Sequence, residues 1–410
     1  MLFPSLARQD GLLFRARELR RKLSARVLAS PVGALTSVGW TVLVGGIAAA
    51  IVGWSFGWAE FRVVAVTALV SVALAIPFVL RQSDYVGELT LHKQRVAIGE
   101  LGMGRATVKP RAGGRVGGRT VELPVGRAVA RFLVPGLTGD EEHEELFSVP
   151  SKRRAVIPVG PVMAVQTDPV GFFRREKRLT QTMELFIHPQ LVGVESGAVG
   201  FLKDVEGVTT SNLSSSDVSF HALRDYVPGD DRRAVHWRTT ARTGKLVVRQ
   251  FEETMRAHLL LLLSLNPGDY RKAEDFELAV SVVGSIGVAA FREERRVTVH
   301  TTTGPMLFPS MVGMLDELSR LELVEGEQLR AATARAIRDC PEASVCALVT
   351  GGESSVTDLR TAEQAIPLDL ARFAVRAADT IAIGRRTVGR LTLIDLARLG
   401  DLGYALRSVR

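Results

Sequence analysis

The chain has 410 residues, 46% hydrophobic and 23% charged, with a formal net charge of +8 at pH 7. That length exceeds one ordinary core and predicts two or three domains. The basic balance admits nucleic acid or an anionic membrane as partner, but no base-stacking aromatics interleave with the arginines, which argues against nucleic acid.

Residues 1–31 form a basic segment carrying Arg8, Arg15, Arg17, Arg20, Arg21, Lys22 and Arg26. Two uncharged apolar runs follow, Val32–Val52 and Val63–Leu80. At 1.5 Å per helical residue each covers about 27–31 Å, the thickness of a bilayer's hydrocarbon core. Residues 32–80 are therefore expected to be a transmembrane hairpin with spans 32–52 and 63–80, embedded in the lipid bilayer. The connector places Trp54 and Trp58 where headgroups lie. A cleaved signal peptide fits poorly, because about thirty residues precede the first run and no small-residue cleavage site separates it from the second. Positive charge stays inside, so both termini are expected in the cytoplasm. The basic leader also fits an amphipathic helix lying on the inner leaflet.

Residues 84–195 alternate apolar and polar positions in short stretches such as "GELTLHKQRVAIG" and "RTVELPVG", separated by Gly and Pro. Period-two patterning at this spacing predicts a small antiparallel, sandwich-like β-domain. Within it "GDEEHEEL" holds His143, but it is not HExxH and reads as a solvated loop. Residues 196–256 form a linker whose Ser-rich part, Thr209–Ser219, reads as a connector.

Residues 257–410 alternate strands and helices. "HLLLLLSLN" and "ASVCALVTGG" are continuous apolar runs of the kind a buried parallel strand needs. "DFELAVSVVGSIGVAAFREERR", "SMVGMLDELSRLEL" and "EQLRAATARAIRDC" have helical spacing, whereas "RLTLIDL" and "YALRSVR" read as closing strands. The pattern predicts a doubly wound α/β domain. Its two cysteines, Cys340 and Cys346, have no metal-ligand spacing and fit reduced, buried thiols.

No phosphate loop accompanies this domain: "TGKLVV" lacks the first Walker glycine and the terminal Ser or Thr, and no GxSxG elbow occurs. The first strand ends Ser264-Leu265-Asn266-Pro267-Gly268 and a later one ends Thr350-Gly351-Gly352. The domain resembles a von Willebrand factor A fold, in which these positions carry DxSxS and a later Asp around Mg²⁺. Both carboxylates are missing here, so Ser264, Asn266 and Gly268 read as a degenerate metal site. No metal and no cofactor are expected.

The densest chemistry lies in "LRDYVPGDDRRAVHWRTTARTGKLVVRQFEE", from Leu223 to Glu253. Its Arg224, Tyr226, Gly229, Asp230, Arg233, His236, Trp237, Ala241 and Arg242 resemble the signature of the DUF58 family. The upstream "SKRRAVIPVGPVMAVQTDPVGFF", Ser151–Phe173, resembles that family's arginine-pair and DPfGLf-like region. The resemblance implies a membrane-anchored protein with a β-domain and a von Willebrand A-like domain, and a MoxR-type AAA+ ATPase as partner.

Read from its residues, the stretch suits a clamp. Pro228-Gly229 sets a turn, Asp230 caps backbone donors or pairs with Arg224, Arg233 or Arg242, and Trp237 is expected to be a buried apolar anchor. The competing reading makes His236 a base activated by Asp230 or Asp225, but no nucleophile can be named for it. The expectation is thus a non-enzymatic membrane scaffold whose signature clamps or docks a partner. The alternative is a metal-dependent adhesion module or an enzyme built on Asp230 and His236.

Overall fold

The computed structural model describes residues 34–80, 84–111, 114–194, 219–228, 230, 235–252 and 258–407. Two compact units divide the chain: one takes residues up to Ser151 and Val156–Phe186, the other Lys152–Ala155 and Ile187–Arg410.

The first unit opens with helices α1 (Ser37–Ser55) and α2 (Ala59–Leu80). Both are long and apolar enough to cross a membrane. Val44, Ile47, Ile51, Val63, Val66 and Leu74 face outward, a surface suited to hydrocarbon. Small residues let the two helices approach, since a Cβ on Gly46 would meet that of Ala68 and one on Gly53 would meet the Arg62 backbone nitrogen. The spans are shifted from the expected 32–52 and 63–80, and the connector shrinks to Phe56–Trp58. Glu60 and Arg62 are helical because Arg62 Nε donates to the Gly53 carbonyl at 2.9 Å, satisfying the end of α1. Charge at the connector does not stop the helix.

Twelve strands follow: β1 (Tyr85–Leu91), β2 (Arg95–Ala97), β3 (Leu101–Pro110), β4 (Arg115–Val116), β5 (Arg119–Val125), β6 (Ala128–Val134), β7 (Leu137–Thr138), β8 (His143–Pro150), β9 (Ala155–Val159), β10 (Met163–Thr167), β11 (Arg174–Arg178) and β12 (Met183–His188). One sheet runs β1-β3-β8; a second runs β11-β10-β5-β9-β12-β2, with β6 hairpinned onto β5; β4 and β7 form a separate pair. Burial alternates along β3, as a sheet with one covered face requires. Leu185 of β12 lies so close to Gly102 of β3 that a Cβ there would sit 2.7 Å from it. The stretch around His143, expected as a loop, opens β8 instead.

The hairpin is seated on this domain through "DPVGFF". Asp168 accepts from the backbone N–H of Val170 (3.0 Å) and Phe173 (2.6 Å), closing a tight turn. The turn's carbonyls then receive the start of α1: Thr36 N–H donates to Phe172 at 2.8 Å and its hydroxyl to Gly171 at 2.7 Å. Thr36 also caps α1, accepting from Gly39 N–H. Phe172 and Phe173 pack with Ala34, Val72 and Ala75.

In the second unit, β13 (Ser219–Asp225), helix α3 (Trp237–Thr243) and β14 (Val247–Glu252) form a helix-bearing hairpin. A seven-stranded sheet follows, built from β15 (His258–Leu263), β16 (Arg296–Thr301), β17 (Gly304–Met306), β18 (Val345–Gly351), β19 (Ala371–Ala377), β20 (Gly384–Val388) and β21 (Leu391–Leu396). Its order is β17-β16-β15-β18-β19-β21-β20. The five central strands are parallel and both edges antiparallel.

Alternate leucines of β15 feed two cores. Leu259, Leu261 and Leu263 meet α4 (Ala273–Arg292), α5 (Met311–Arg320) and α8 (Leu402–Arg407). Leu260 and Leu262 meet α6 (Leu329–Asp339) and α7 (Val356–Glu363). Helices cover both faces, as a continuous apolar strand demands. The expected final strand "YALRSVR" is the helix α8: Leu402, Ala405 and Leu406 are buried at helical spacing while Tyr404 is exposed.

Candidate functional site

The signature stretch folds as a clamp around Asp230. Its carboxylate takes both terminal nitrogens of Arg224, at 2.7 and 2.8 Å, and the Val227 N–H at 2.9 Å. This is the bidentate geometry that fixes a guanidinium most firmly. The Arg224 hydrogen bonds, then the Val227 amide, hold the Asp230 carboxyl below the usual carboxylate range. Of the three arginines considered for Asp230, Arg224 is a partner among the described residues. Arg242 is exposed, and Gly229 and Arg233 lie outside the described residues.

His236 begins α3. Its Nδ1 accepts from Thr239 N–H at 3.2 Å and meets the Thr239 hydroxyl at 2.6 Å. Accepting there puts the ring proton of the neutral imidazole on Nε2. The His236 backbone N–H donates to Val247 at 2.8 Å, and Thr240 Oγ1 accepts from Val247 N–H at 3.1 Å. Helix and strand are therefore stitched from both sides, and Gly244 ends the helix with φ +68°.

Trp237 contradicts its expected role as a buried anchor. It is 65% exposed, because no residue of the seven-residue helix α3 is buried. Val235, Val247 and Val248 do the anchoring instead. On α3 and the turn after it Arg238, Ala241, Arg242, Lys245 and Leu246 are exposed as well, and Tyr226, after β13, is half-buried. The result is a basic, aromatic surface held on a stitched hairpin.

A second site lies at the carboxyl ends of β15 and β18, where the crossovers leave the sheet in opposite directions and open α/β sheets bind ligands. A cavity of about 440 Å³ opens there, lined in part by Asn266, Asp269, Ser354 and Asp358. Ser264 is fully buried and its hydroxyl donates to Asp269, a carboxylate the sequence reading passed over. Asn266 is tied to the 326–327 backbone, accepting from Gly326 N–H (2.7 Å) and donating to the Glu327 carbonyl (3.1 Å). Gly268 sits in the short 3₁₀ turn Pro267–Asp269 that swings Asp269 back. Among the described residues no three His, Cys, Asp or Glu side chains gather in a way that could hold a metal ion.

Sequence reading also missed the work of Arg154. Within the second unit its guanidinium grips the Glu277 carboxylate at 2.9 and 3.0 Å and donates to the carbonyls of Leu318 and Leu321. Its side chain is 4% exposed, so this is a buried charge with its donors engaged.

Residues 222–335 match a family model described as "Protein of unknown function DUF58". The similarity to DUF58 covers this segment and not the chain as a whole. It runs from the middle of β13 through the clamp, the first three sheet strands and α5 into α6. Solved structures similar to parts of the chain include the CARDB domain of a Pyrococcus furiosus protein, 16% identical, covering 26% of this chain and 93% of that one at a TM-score of 0.20. Others are a Listeria innocua β-glucosidase, 11% identical over 26% of this chain and 16% of that one (TM-score 0.17), and the Bacillus subtilis sporulation control protein Spo0M, 14% identical over 33% and 60% (TM-score 0.16). No curated protein matches. The clamp and the exposed tryptophan both fall inside the DUF58 segment, as does the Ser264–Asp269 strand end.

Proposed function

We propose that the protein is a non-enzymatic, membrane-anchored adaptor whose DUF58 hairpin docks a protein partner through Trp237 and the basic residues beside it. One observation carries this: Trp237 is 65% exposed on a helix whose ends are fixed by His236, Thr240 and Gly244. An exposed tryptophan sharing a short helix with the exposed Arg238 and Arg242 has the composition of an interface hot spot, and the positive charge fits an acidic partner. The His236 Nδ1 lone pair is engaged in the helix cap, which speaks against His236 as a general base.

The order β16-β15-β18-β19-β21, parallel throughout, supports reading residues 258–407 as von Willebrand factor A-like. On that reading the family resemblance supplies a MoxR-type AAA+ ATPase as the partner. Basic residues before α1 favour cytoplasmic termini. A reporter fused after Arg410 is expected to be active in the cytoplasm, and activity only on the far side would reverse the orientation.

The docking test uses the full chain with its anchor intact. Arg238→Glu combined with Arg242→Glu is expected to reduce co-purification of the ATPase at least about tenfold while the melting temperature holds. Undiminished capture would remove this surface from the reading.

A further inference from the structure

The β-domain holds a cavity that the adaptor reading does not use. It measures about 260 Å³ and is lined in part by Tyr85, Arg119, Gln166, Arg175, Glu176 and Lys177. Three of these side chains are cationic and one is anionic. The buried Tyr85 donates its hydroxyl to the Gly117 carbonyl, so it forms a fixed wall rather than a free donor. Glu176 is covered by Arg174, which reaches it at 2.8 Å and Glu122 at 2.6 Å. Lys177 is steered by Asp84 at 2.7 Å. With these neighbours included, the four cations Arg119, Arg174, Arg175 and Lys177 outnumber the three carboxylates Asp84, Glu122 and Glu176 by one.

Its position gives the charge a meaning. Gln166, on the cavity wall, donates its side-chain amide to the carbonyl of Phe78. Phe78 lies in the final turn of α2, which ends at Leu80. The cavity therefore adjoins the final turn of α2, at the level where a spanning helix leaves hydrocarbon and meets headgroups. Basic side chains at that depth are attracted to anionic headgroups by about 1 kcal/mol per Lys or Arg.

We infer that this cavity binds the phosphate headgroup of an anionic phospholipid at the foot of α2. The inference rests on the membrane-anchored reading of the hairpin. Arg119, Arg175 and Lys177 supply the charge, and Gln166 joins the site to the helix end. A single lipid held there would fix the β-domain's contact with the leaflet.

The test uses the full chain in lipid nanodiscs and in detergent with native mass spectrometry, comparing phosphatidylglycerol with phosphatidylcholine. The wild type is expected to retain phosphatidylglycerol in preference, and Arg175→Gln with Lys177→Gln to weaken that retention about thirtyfold, two basic contacts being lost. Lys109→Gln, which removes an exposed charge paired with Glu142 and outside the cavity, is expected to leave it unchanged. Equal retention of both lipids, or full retention by the double variant, overturns the site. Displacement of the lipid by millimolar inorganic phosphate overturns the lipid as the source of the phosphate. Failure of the chain to enter nanodiscs breaks the membrane-anchored reading itself, an outcome distinct from entry without lipid preference.

Discussion

Two turns in this chain are closed by an aspartate, and they treat their aromatic neighbours in opposite ways. Asp168 is 4% exposed and accepts two backbone N–H groups; the Phe172 and Phe173 that follow it are packed against the apolar helical hairpin. Asp230 accepts one backbone N–H and a bidentate guanidinium near the surface, and the Trp237 that follows points away from the fold. The local chemistry is nearly the same: a short carboxylate satisfies donors that a turn leaves without partners. What differs is where the adjacent ring goes. At Asp168 the rings are buried in the fold, and after Asp230 the ring stays exposed.

That contrast is sharpest for the rings themselves. Phe173→Ala removes a fully buried ring and is expected to cost about 3–5 kcal/mol, read as a large drop in melting temperature of the full chain in detergent. Trp237→Ala is expected to shift stability by less than about 0.5 kcal/mol while abolishing partner capture. Equal destabilisation by both would erase the distinction between the two turns.

The carboxylates come next. Asp168→Ala leaves two buried N–H donors without acceptors and is expected to cost about 2–5 kcal/mol. Asp230→Ala is expected to cost clearly less, because water can replace what it removes, though the hairpin should become more susceptible to protease. A larger loss at Asp230 than at Asp168 would mean that the clamp, not the buried turn, carries the fold.

The smallest effect is that of acid. Arg224 and the Val227 amide lower the folded Asp230 carboxyl below its unfolded value near 3.9. Its contribution is thus fully present above that value and lost as pH falls through the lowered folded one. The Val227 amide resonance is expected to stay constant from pH 8 to 5 and to move only under stronger acid; a transition near neutrality would contradict the ion pair.

The parts of this architecture that could be read from the sequence were those written in long periods. Two uncharged runs gave the hairpin, and the β15 leucines gave a doubly covered strand, since only burial on both faces tolerates such a run. Short segments were less legible. "YALRSVR" fits period two and period 3.6 almost equally, and only the packing of Leu402 and Leu406 decides for helix. At the candidate site, charge and spacing offered Arg224, Arg233 and Arg242 alike to Asp230, and the bidentate bond to Arg224 came only from the structure; the direction of Trp237 was not legible either, because an amphipathic ring suits a core and an interface alike. Asp269 escaped notice because it stands one residue beyond the strand-end stretch and returns only through a 3₁₀ turn.

Gly39 makes the last point. A Cβ at this position would lie 2.2 Å from the Phe172 carbonyl oxygen, so the first turn of α1 touches the β-domain backbone to backbone. With Thr36 bonded to the same turn, the joint has little room to pivot. The β-domain is then carried as a bracket welded to its bolt, not as a flag on a string: the direction of the hairpin sets the direction of the domain. A load on the β-domain would reach the hairpin as torque, and any tilt of the hairpin would re-aim the domain's surface.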